Sequence, residues 1–362
     1  MRLGVLGGGQ LARMLALAAA PLGVRVRAYD PSPDACAGDV CELVVGRYDD
    51  HATLREFADG LDTMTYEFEN VPTGAADLLA SLAPVRPGTE SLRLSQDRVL
   101  EKRALTDAGF EVAPWRQIDT EDDLHGSILA IGAPAILKTR RGGYDGKGQA
   151  IIAENADAAR AWASIEGRPA ILESMLKFNR ELSLVAARGL DGSMAFYPLV
   201  ENEHRQGILR VTIAPAPGVD AGLQRQAEAM AERLMSSLDH VGMLTIEFFE
   251  IQGQLIANEF APRVHNSGHW TIDGAQTSQF ENHIRAVLGM PLGPTTVRTP
   301  TVMLNCVGAM PDPAGLLAEP SAKLHDYRKP ARPGRKVGHV NLLGLDPTHA
   351  HDAAKRLGID LG

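Results

Sequence analysis

The sequence predicts a multidomain protein of mixed α/β and α+β class, and three observations carry that prediction. The chain opens with a strand, glycine turn, helix and strand; its middle holds a glycine-rich loop between two strand-like runs; its second half alternates strands with helical stretches. At 362 residues the chain exceeds one ordinary domain core, so two or three packed units of roughly 100 to 150 residues are expected.

Residues 2–6 read as a strand, Gly7, Gly8 and Gly9 as a turn, residues 10–20 as a helix, and residues 24–29 as a second strand ending at Asp30. The short apolar run 43–45, a helix over 53–58, a strand ending near Tyr66 and a helix after Pro72 continue the pattern, so the first ninety or so residues suggest an open, mostly parallel sheet. Ser95, Gln96, Asp97 and Arg98 ahead of residues 99–108 have the form of a capped helix, stopped by Gly109. Strands are expected at 135–139 and 149–152, a helix over 156–165, and the end of this second unit near Arg180. Strands at 182–188, 194–200, 244–250 and 255–260 then alternate with helices at 223–238 and 277–288. The resulting division is 1–95, 96–180 and 181–362.

Composition narrows the function classes. Apolar residues at 44% and charged residues at 22% are ordinary globular values. A net charge of −9 argues against an extended nucleic-acid surface. Cys36, Cys41 and Cys306 show no CxxC spacing, which indicates neither a disulfide framework nor a zinc site and makes the cytoplasm the simplest location. The apolar stretch 11–22 follows a strand and three glycines and is interrupted by Arg13, which fits a folded helix better than a cleavable leader. No later stretch approaches the length a membrane helix needs.

The first turn matches GxGxx(G/A) through Gly7, Gly9 and Ala12, with Asp30 near the place of an acidic ribose partner. Read alone it suggests a nicotinamide oxidoreductase. Its physical content is narrower: a tight turn and a helix N-terminus open to an anion. A dehydrogenase has no use for the features further along.

Arg141, Gly142, Gly143, Tyr144, Asp145, Gly146, Lys147, Gly148 and Gln149 combine four glycines with cationic and polar donors, directly after a strand bearing Lys138. This is not a Walker A loop, but its backbone N–H groups can turn toward phosphates, with Lys138 and Lys147 supplying charge. A flexible loop with solvated charges is the plain alternative. Farther on, Glu247 and the pair Asn258–Glu259 lie in apolar strands flanking a turn at Gln252 and Gly253. Antiparallel pairing sets Glu247 opposite position 258 or 259, a costly meeting of like charges unless a cation neutralises it. A nucleotide–Mg²⁺ site is the economical explanation; the alternative has the two acids on opposite faces.

Together these features resemble the ATP-grasp enzymes. More specifically, residues 7–11, 65–72, 142–149, 197–202, 261–271 and 332–339 look like the 5-(carboxyamino)imidazole ribonucleotide synthases of bacterial purine biosynthesis, a resemblance that runs nearly the whole chain. It implies ATP-grasp architecture: an N-terminal Rossmann-like (pre-ATP-grasp) domain, a small lid, and a C-terminal nucleotide and magnesium domain. It implies that Arg98, Lys138, Gly143, Tyr144, Asp145, Gly146, Lys147, Gly148, Gln149, Glu173, Ser174, Met175, Leu176, Glu181 and His204 surround ATP, with edge backbone groups after residue 173 reading the adenine and Glu181 the ribose. Glu247 and Glu259 would hold Mg²⁺ (or Mn²⁺), with Asn258 beside them.

For the aminoimidazole ribonucleotide, the resemblance places Gln10, Glu69 and Asn70 at the substrate, Tyr144, Asp145 and Lys147 closing over it, and Arg263, His265, Asn266 and Ser267 alongside. Lys329, Arg335 and Lys336, with Arg263, supply cations for its 5′-phosphate; without the resemblance that run reads equally as a solvated tail. Asp145, Lys147, Arg263 and His265 are the catalytic candidates. His265 is the best general base by chemistry, although a structural histidine fits the sequence as well, and Asp145 competes for the same role. The implied reaction phosphorylates bicarbonate with ATP and transfers the carboxyl group to the exocyclic amine, in a homodimer. Other ATP-grasp ligases, such as a formate-using glycinamide ribonucleotide transformylase or a biotin carboxylase, would share the nucleotide parts, as would a noncatalytic nucleotide-binding module; the 262–270 segment favours the carboxyaminoimidazole enzymes.

Overall fold

The structure is a computed structural model that describes residues 1–143 and 148–362. The chain begins β1 (Arg2–Leu6), α1 (Gln10–Ala19), β2 (Arg25–Asp30), β3 (Glu42–Val45), α2 (His51–Ala58), β4 (Thr63–Tyr66) and α3 (Thr73–Ala80). These strands form a parallel sheet in the order β3-β2-β1-β4. Leu3, Val5 and Leu6 are fully buried, as expected of a central parallel strand covered on both faces.

A second unit follows α4 (Thr89–Ser95) and α5 (Arg98–Asp107). The predicted cap is present: the Asp97 carboxylate accepts from Val99 N at 3.0 Å and Leu100 N at 3.4 Å, satisfying donors that the first helical turn cannot pair internally. Next come β5 (Trp115–Ile118), α6 (Glu121–Ile131), β6 (Ala135–Thr139), β7 (Gln149–Ile152), α7 (Ala158–Ser164) and β8 (Ala170–Ser174), with antiparallel order β5-β8-β6-β7 and a core built on Leu124, Ile128, Leu137 and Leu172. The helix expected over 156–165 is shorter, a single 3₁₀ turn leading into α7.

The remainder is one nine-stranded sheet. β9 (Arg180–Arg188), β10 (Met194–Phe196), β11 (Val200–Arg205), β12 (Ile208–Ala214), α8 (Ala221–Ser237), β13 (Gly242–Ile251), β14 (Gln254–Ala261), α9 (Thr271–Gly274), α10 (Gln279–Val287), β15 (Thr301–Val307), β16 (Ala322–Asp326) and β17 (Lys336–Leu343) give the order β14-β13-β9-β11-β12-β15-β17-β16, with β10 also on β9. The single strand expected over 194–200 is two, because Pro198 has no N–H to give the ladder and the register on β9 slips between Phe196 and Val200. The basic run near residue 336 is no solvated tail: Lys329 and Arg335 are half-buried in the β16–β17 connection and Lys336 opens β17. Leu11 and Leu15 of α1 share a core with Phe280 and Ile284 of α10, which docks the N-terminal sheet beside the β13–β14 hairpin.

Candidate active site

The glycine turn is an anion site that the chain fills itself. Gly9 N and Ala12 N donate to the two oxygens of Glu67 at 2.5 and 2.9 Å, and Gly8 N donates to Asp30 Oδ2 at 2.8 Å. Glu67 is 7% exposed; burial pushes its carboxyl up, against those two backbone donors. A Cβ on Gly9 would lie 2.5 Å from Glu67 Oε1. The dinucleotide fingerprint therefore holds a carboxylate of the protein where a pyrophosphate would sit. The turn presents Gln10, whose Oε1 accepts from Lys329 Nζ.

Arg263, just past β14, pairs with Glu69, just past β4. Burial alone would raise Glu69, but the Arg263 guanidinium outweighs it and brings the carboxyl to about 2. Lys329 and Arg335 lie in the β16–β17 connection and Lys336 opens β17; burial lowers Lys329, and the charges of Arg335 and Lys336 lower it further. Arg335 Nη1 donates to Pro330 O at 3.2 Å. Asn266 has both amide atoms shielded and without a partner among the described residues, a cost that a polar ligand would relieve. Asn70 is exposed.

His265 is where geometry revises the chemistry. Its Nδ1 accepts from Ser267 N at 3.3 Å and lies 2.9 Å from Ser267 Oγ, while Nε2 is 3.1 Å from Glu247 Oε1. A backbone N–H can only donate, so Nδ1 carries the lone pair and Nε2 the proton directed at Glu247. In this arrangement His265 is a donor to the carboxylate rather than a free general base. Burial would raise Glu247, but the His265 hydrogen bond and the charges of His204 and Lys336 bring it to about 2.

Across the hairpin Glu247 pairs with Glu259, and a bulge after Glu247 accommodates Asn258. The turn is the expected one, Gln252 and Gly253 both having positive φ, 52° and 80°. Arg98 Nη1 pairs with Glu259 Oε2 at 3.0 Å, and Arg98 Nη2 donates to Gly143 O at 3.4 Å. Glu173 lies between Lys102 and Lys138, 3.2 Å from each, which hold it at about 2 against the effect of burial. His204 Nδ1 lies 2.6 Å from Glu181 Oε2.

Two opposed carboxylates beside an amide suit a hard divalent cation such as Mg²⁺. Among the described residues no group of three or more His, Cys, Asp or Glu side chains could hold a metal unaided.

On the side expected to meet adenine, Ser174 ends β8 and Met175 and Leu176 follow it. β8 is an interior strand, because β5 pairs along its outer side, and Ser174 N and Met175 N donate to Pro114 O and Pro134 O at 2.8 and 3.1 Å. The first backbone groups past this ladder are Met175 O and Leu176 N. Gly148 and Gln149 lead into β7 opposite Lys138; Tyr144, Asp145, Gly146 and Lys147 lie outside the described residues.

Sequence reasoning missed Glu101 and Lys102. Lys102 Nζ donates to Asn258 O at 2.5 Å, and Glu101 accepts from Phe260 N at 2.7 Å, bracketing Glu259 from behind. Burial and the neighbouring Glu259 push Glu101 up to about 8. The available signal was periodicity: 98, 101 and 102 share one helical face.

A ribonucleotide synthetase preATP-grasp domain model matches residues 1–96, an ATP-grasp domain model residues 103–280, and a phosphoribosylaminoimidazole carboxylase C-terminal domain model residues 301–353. The N5-carboxyaminoimidazole ribonucleotide synthase of Pseudomonas aeruginosa is 48% identical over 346 residues, 96% of this chain and 95% of its own length. The chain belongs to the N5-carboxyaminoimidazole ribonucleotide synthase family. The crystal structure of the family member from Thermus thermophilus superposes with a TM-score of 0.94 at 50% identity, covering 98% of this chain and 97% of that one. The N5-carboxyaminoimidazole synthase from Aspergillus clavatus, in complex with ADP and 5-aminoimidazole ribonucleotide, superposes with a TM-score of 0.89 at 30% identity over 98% of this chain and 96% of its own. The architecture is thus ATP-grasp, in the mixed α/β and α+β form expected.

Proposed function

We propose that the chain carboxylates 5-aminoimidazole ribonucleotide to N5-carboxyaminoimidazole ribonucleotide in purine biosynthesis, using ATP, bicarbonate and Mg²⁺, with Mn²⁺ as an alternative. The observation that carries this is the position of Glu247. One side of it meets His265, near the Arg263–Glu69 pair; across the hairpin it meets Glu259, Arg98 and, through Lys102 and Asn258, the Lys138–Glu173 pair. A phosphoryl donor and a ribonucleotide held at these two faces share one carboxylate pair.

The residues act as follows in this reading. Arg98 and Lys138 offset the charge of the ATP phosphates, and Glu173 keeps Lys138 in place. Glu181 and His204 form the ribose edge, with Glu173, Ser174, Met175 and Leu176 on the adenine side. Glu247 and Glu259, with Asn258, hold the metal, which supplies charge neutralisation at the transferred phosphoryl. A bicarbonate oxygen takes the γ-phosphoryl group of ATP, with ADP leaving, to give carboxyphosphate; its carbon–oxygen bond to the phosphoryl group breaks, releasing inorganic phosphate, as the carboxyl carbon bonds to the amine nitrogen and that nitrogen loses a proton. Because His265 donates to Glu247, it keeps that carboxylate oriented, and the proton passes to Asp145 of the lid, a role that rests on the family resemblance. Arg263, Lys329, Arg335 and Lys336 bind the 5′-phosphate, Gln10, Glu69, Asn70, Asn266 and Ser267 the rest of the ribonucleotide, and Tyr144 and Lys147 close over it. The domain scheme 1–95, 96–180 and 181–362, a homodimer and a cytoplasmic location complete the proposal; no described helix is long and apolar enough to cross a membrane.

The test is ADP release from MgATP and bicarbonate with and without the ribonucleotide. Strong stimulation by the ribonucleotide, cut by on the order of 100-fold or more in Glu259→Gln, supports the reading. A folded protein without stimulation refutes it.

A further inference from the structure

We propose that Gln279 is a positioning residue for His265, an inference that rests on the role given above to the His265–Glu247 contact. Gln279 is the first residue of α10 and is fully buried. Its side-chain amide takes both main-chain polar groups of His265: Oε1 accepts from His265 N at 2.9 Å and Nε2 donates to His265 O at 2.6 Å. The remaining amide proton faces His269 Nδ1 at 3.1 Å, and the Gln279 backbone N donates to Thr271 Oγ1 at 2.9 Å. The amide cannot be reversed, because Nε2 would then meet the His265 N–H and Oε1 the carbonyl.

This arrangement reproduces one rung of a β-ladder with a side chain in place of a strand. Residue 265 stands past the end of β14 and pairs with no strand among the described residues, its carbonyl also accepting from Gly268 N at 3.0 Å, yet its imidazole must meet Glu247 at 3.1 Å. Gly268 lets the loop lie directly against this amide: a Cβ there would sit 2.5 Å from Gln279 Oε1. The peptide end of the imidazole geometry then depends on one buried amide and the ring end on the turn that follows. The peptide of His265 is clamped by Gln279, and its Nδ1 is capped by Ser267 N, two residues on in the same tight turn.

The same helix provides a control. Asn282 is equally buried, and its amide bonds Tyr197 Oη at 3.0 Å and the backbone of Gly293 at 3.1 and 2.8 Å, away from His265. Gln279→Met keeps length and removes both bonds to His265; Asn282→Leu removes a comparable set without touching the loop. Gln279→Glu restores the acceptor for His265 N and is the conservative variant, and it replaces Gln279→Met if that protein does not fold.

The experiment measures ribonucleotide-dependent ADP release in all variants below their unfolding temperatures, with kcat and KM separated for ATP and ribonucleotide. The expected result is a kcat loss on the order of 10- to 100-fold in Gln279→Met with both KM values within about threefold, since small misplacement of a group at the reacting centre costs rate rather than binding. Gln279→Glu lies between Gln279→Met and the parent, and Asn282→Leu stays within about threefold of the parent. Equal kcat losses in Gln279→Met and Asn282→Leu, or a loss confined to KM, overturn the proposal. Stimulation of the parent by the ribonucleotide is measured first, so failure of the overall functional reading is recognised separately.

Discussion

Glu173 is 3% exposed and sits between Lys102 and Lys138, 3.2 Å from each. Its carboxyl falls from the ordinary 4.5 to about 2, so its ion pairs stabilise the fold fully above about pH 4.5 and are lost as pH falls toward 2. Glu173→Gln leaves Lys102, itself 2% exposed, charged without its carboxylate. The expected cost is about 3–5 kcal/mol, read by urea denaturation at pH 7, together with weaker ATP binding as Lys138 loses its anchor; unchanged stability and affinity would contradict the assignment. The Glu residue at 173 was visible in the sequence as part of a nucleotide segment. Its burial between two lysines was not, because Lys102 comes from a helix seventy residues earlier.

At the scale of elements, the N-terminal turn and the β13–β14 hairpin carry the site. Gly9→Ala brings a methyl to 2.5 Å from Glu67 Oε1 and forces that carboxylate away from its two backbone donors. A loss of about 1–3 kcal/mol is expected, with a raised KM for the ribonucleotide because Gln10 is the next residue. Gly74→Ala in α3 is the control: a Cβ there meets nothing within 4 Å, and helix propensity makes the change neutral or mildly stabilising. Thermal unfolding of the two variants side by side decides the matter; a Gly9→Ala protein as stable as Gly74→Ala would mean that Glu67 does not brace the turn. Period-2 and glycine signals made both elements legible. The β5 strand was not, since Trp115–Ile118 is four residues long and its pairing partner lies more than fifty residues away.

At the scale of the molecule, two buried histidines join β4 and α4 of the N-terminal unit to the start of β13. His283 accepts from Met243 N at 3.1 Å and faces Thr65 Oγ1 at 2.8 Å; His240 faces Met243 O at 2.9 Å and Ser91 Oγ at 3.1 Å. Burial lowers them to about 3 and about 4, so both are neutral in the folded chain when the unfolded chain already binds protons. Stability therefore declines as pH falls below 6.5, by about 2 kcal/mol per histidine between pH 6.5 and 5. Denaturation midpoints across that range are expected to fall more steeply in the parent than in His283→Gln, which does not titrate there; parallel profiles would show that the acid sensitivity lies elsewhere.

By itself the sequence determined the class of fold, the glycine turn, the capped helix after Ser95, the hairpin that sets Glu247 opposite position 258 or 259, and the six motifs that mark the family. These are local: a cap, a turn or a strand period is set by residues within a few positions of one another. Only the tertiary structure decided that Glu67 fills the anion site of the fingerprint, that His265 donates to Glu247, and that Glu101, Lys102 and Gln279 stand behind the reacting residues. Each of those depends on which distant elements share a buried surface, and burial sets both the direction of a proton and the cost of an unpaired charge.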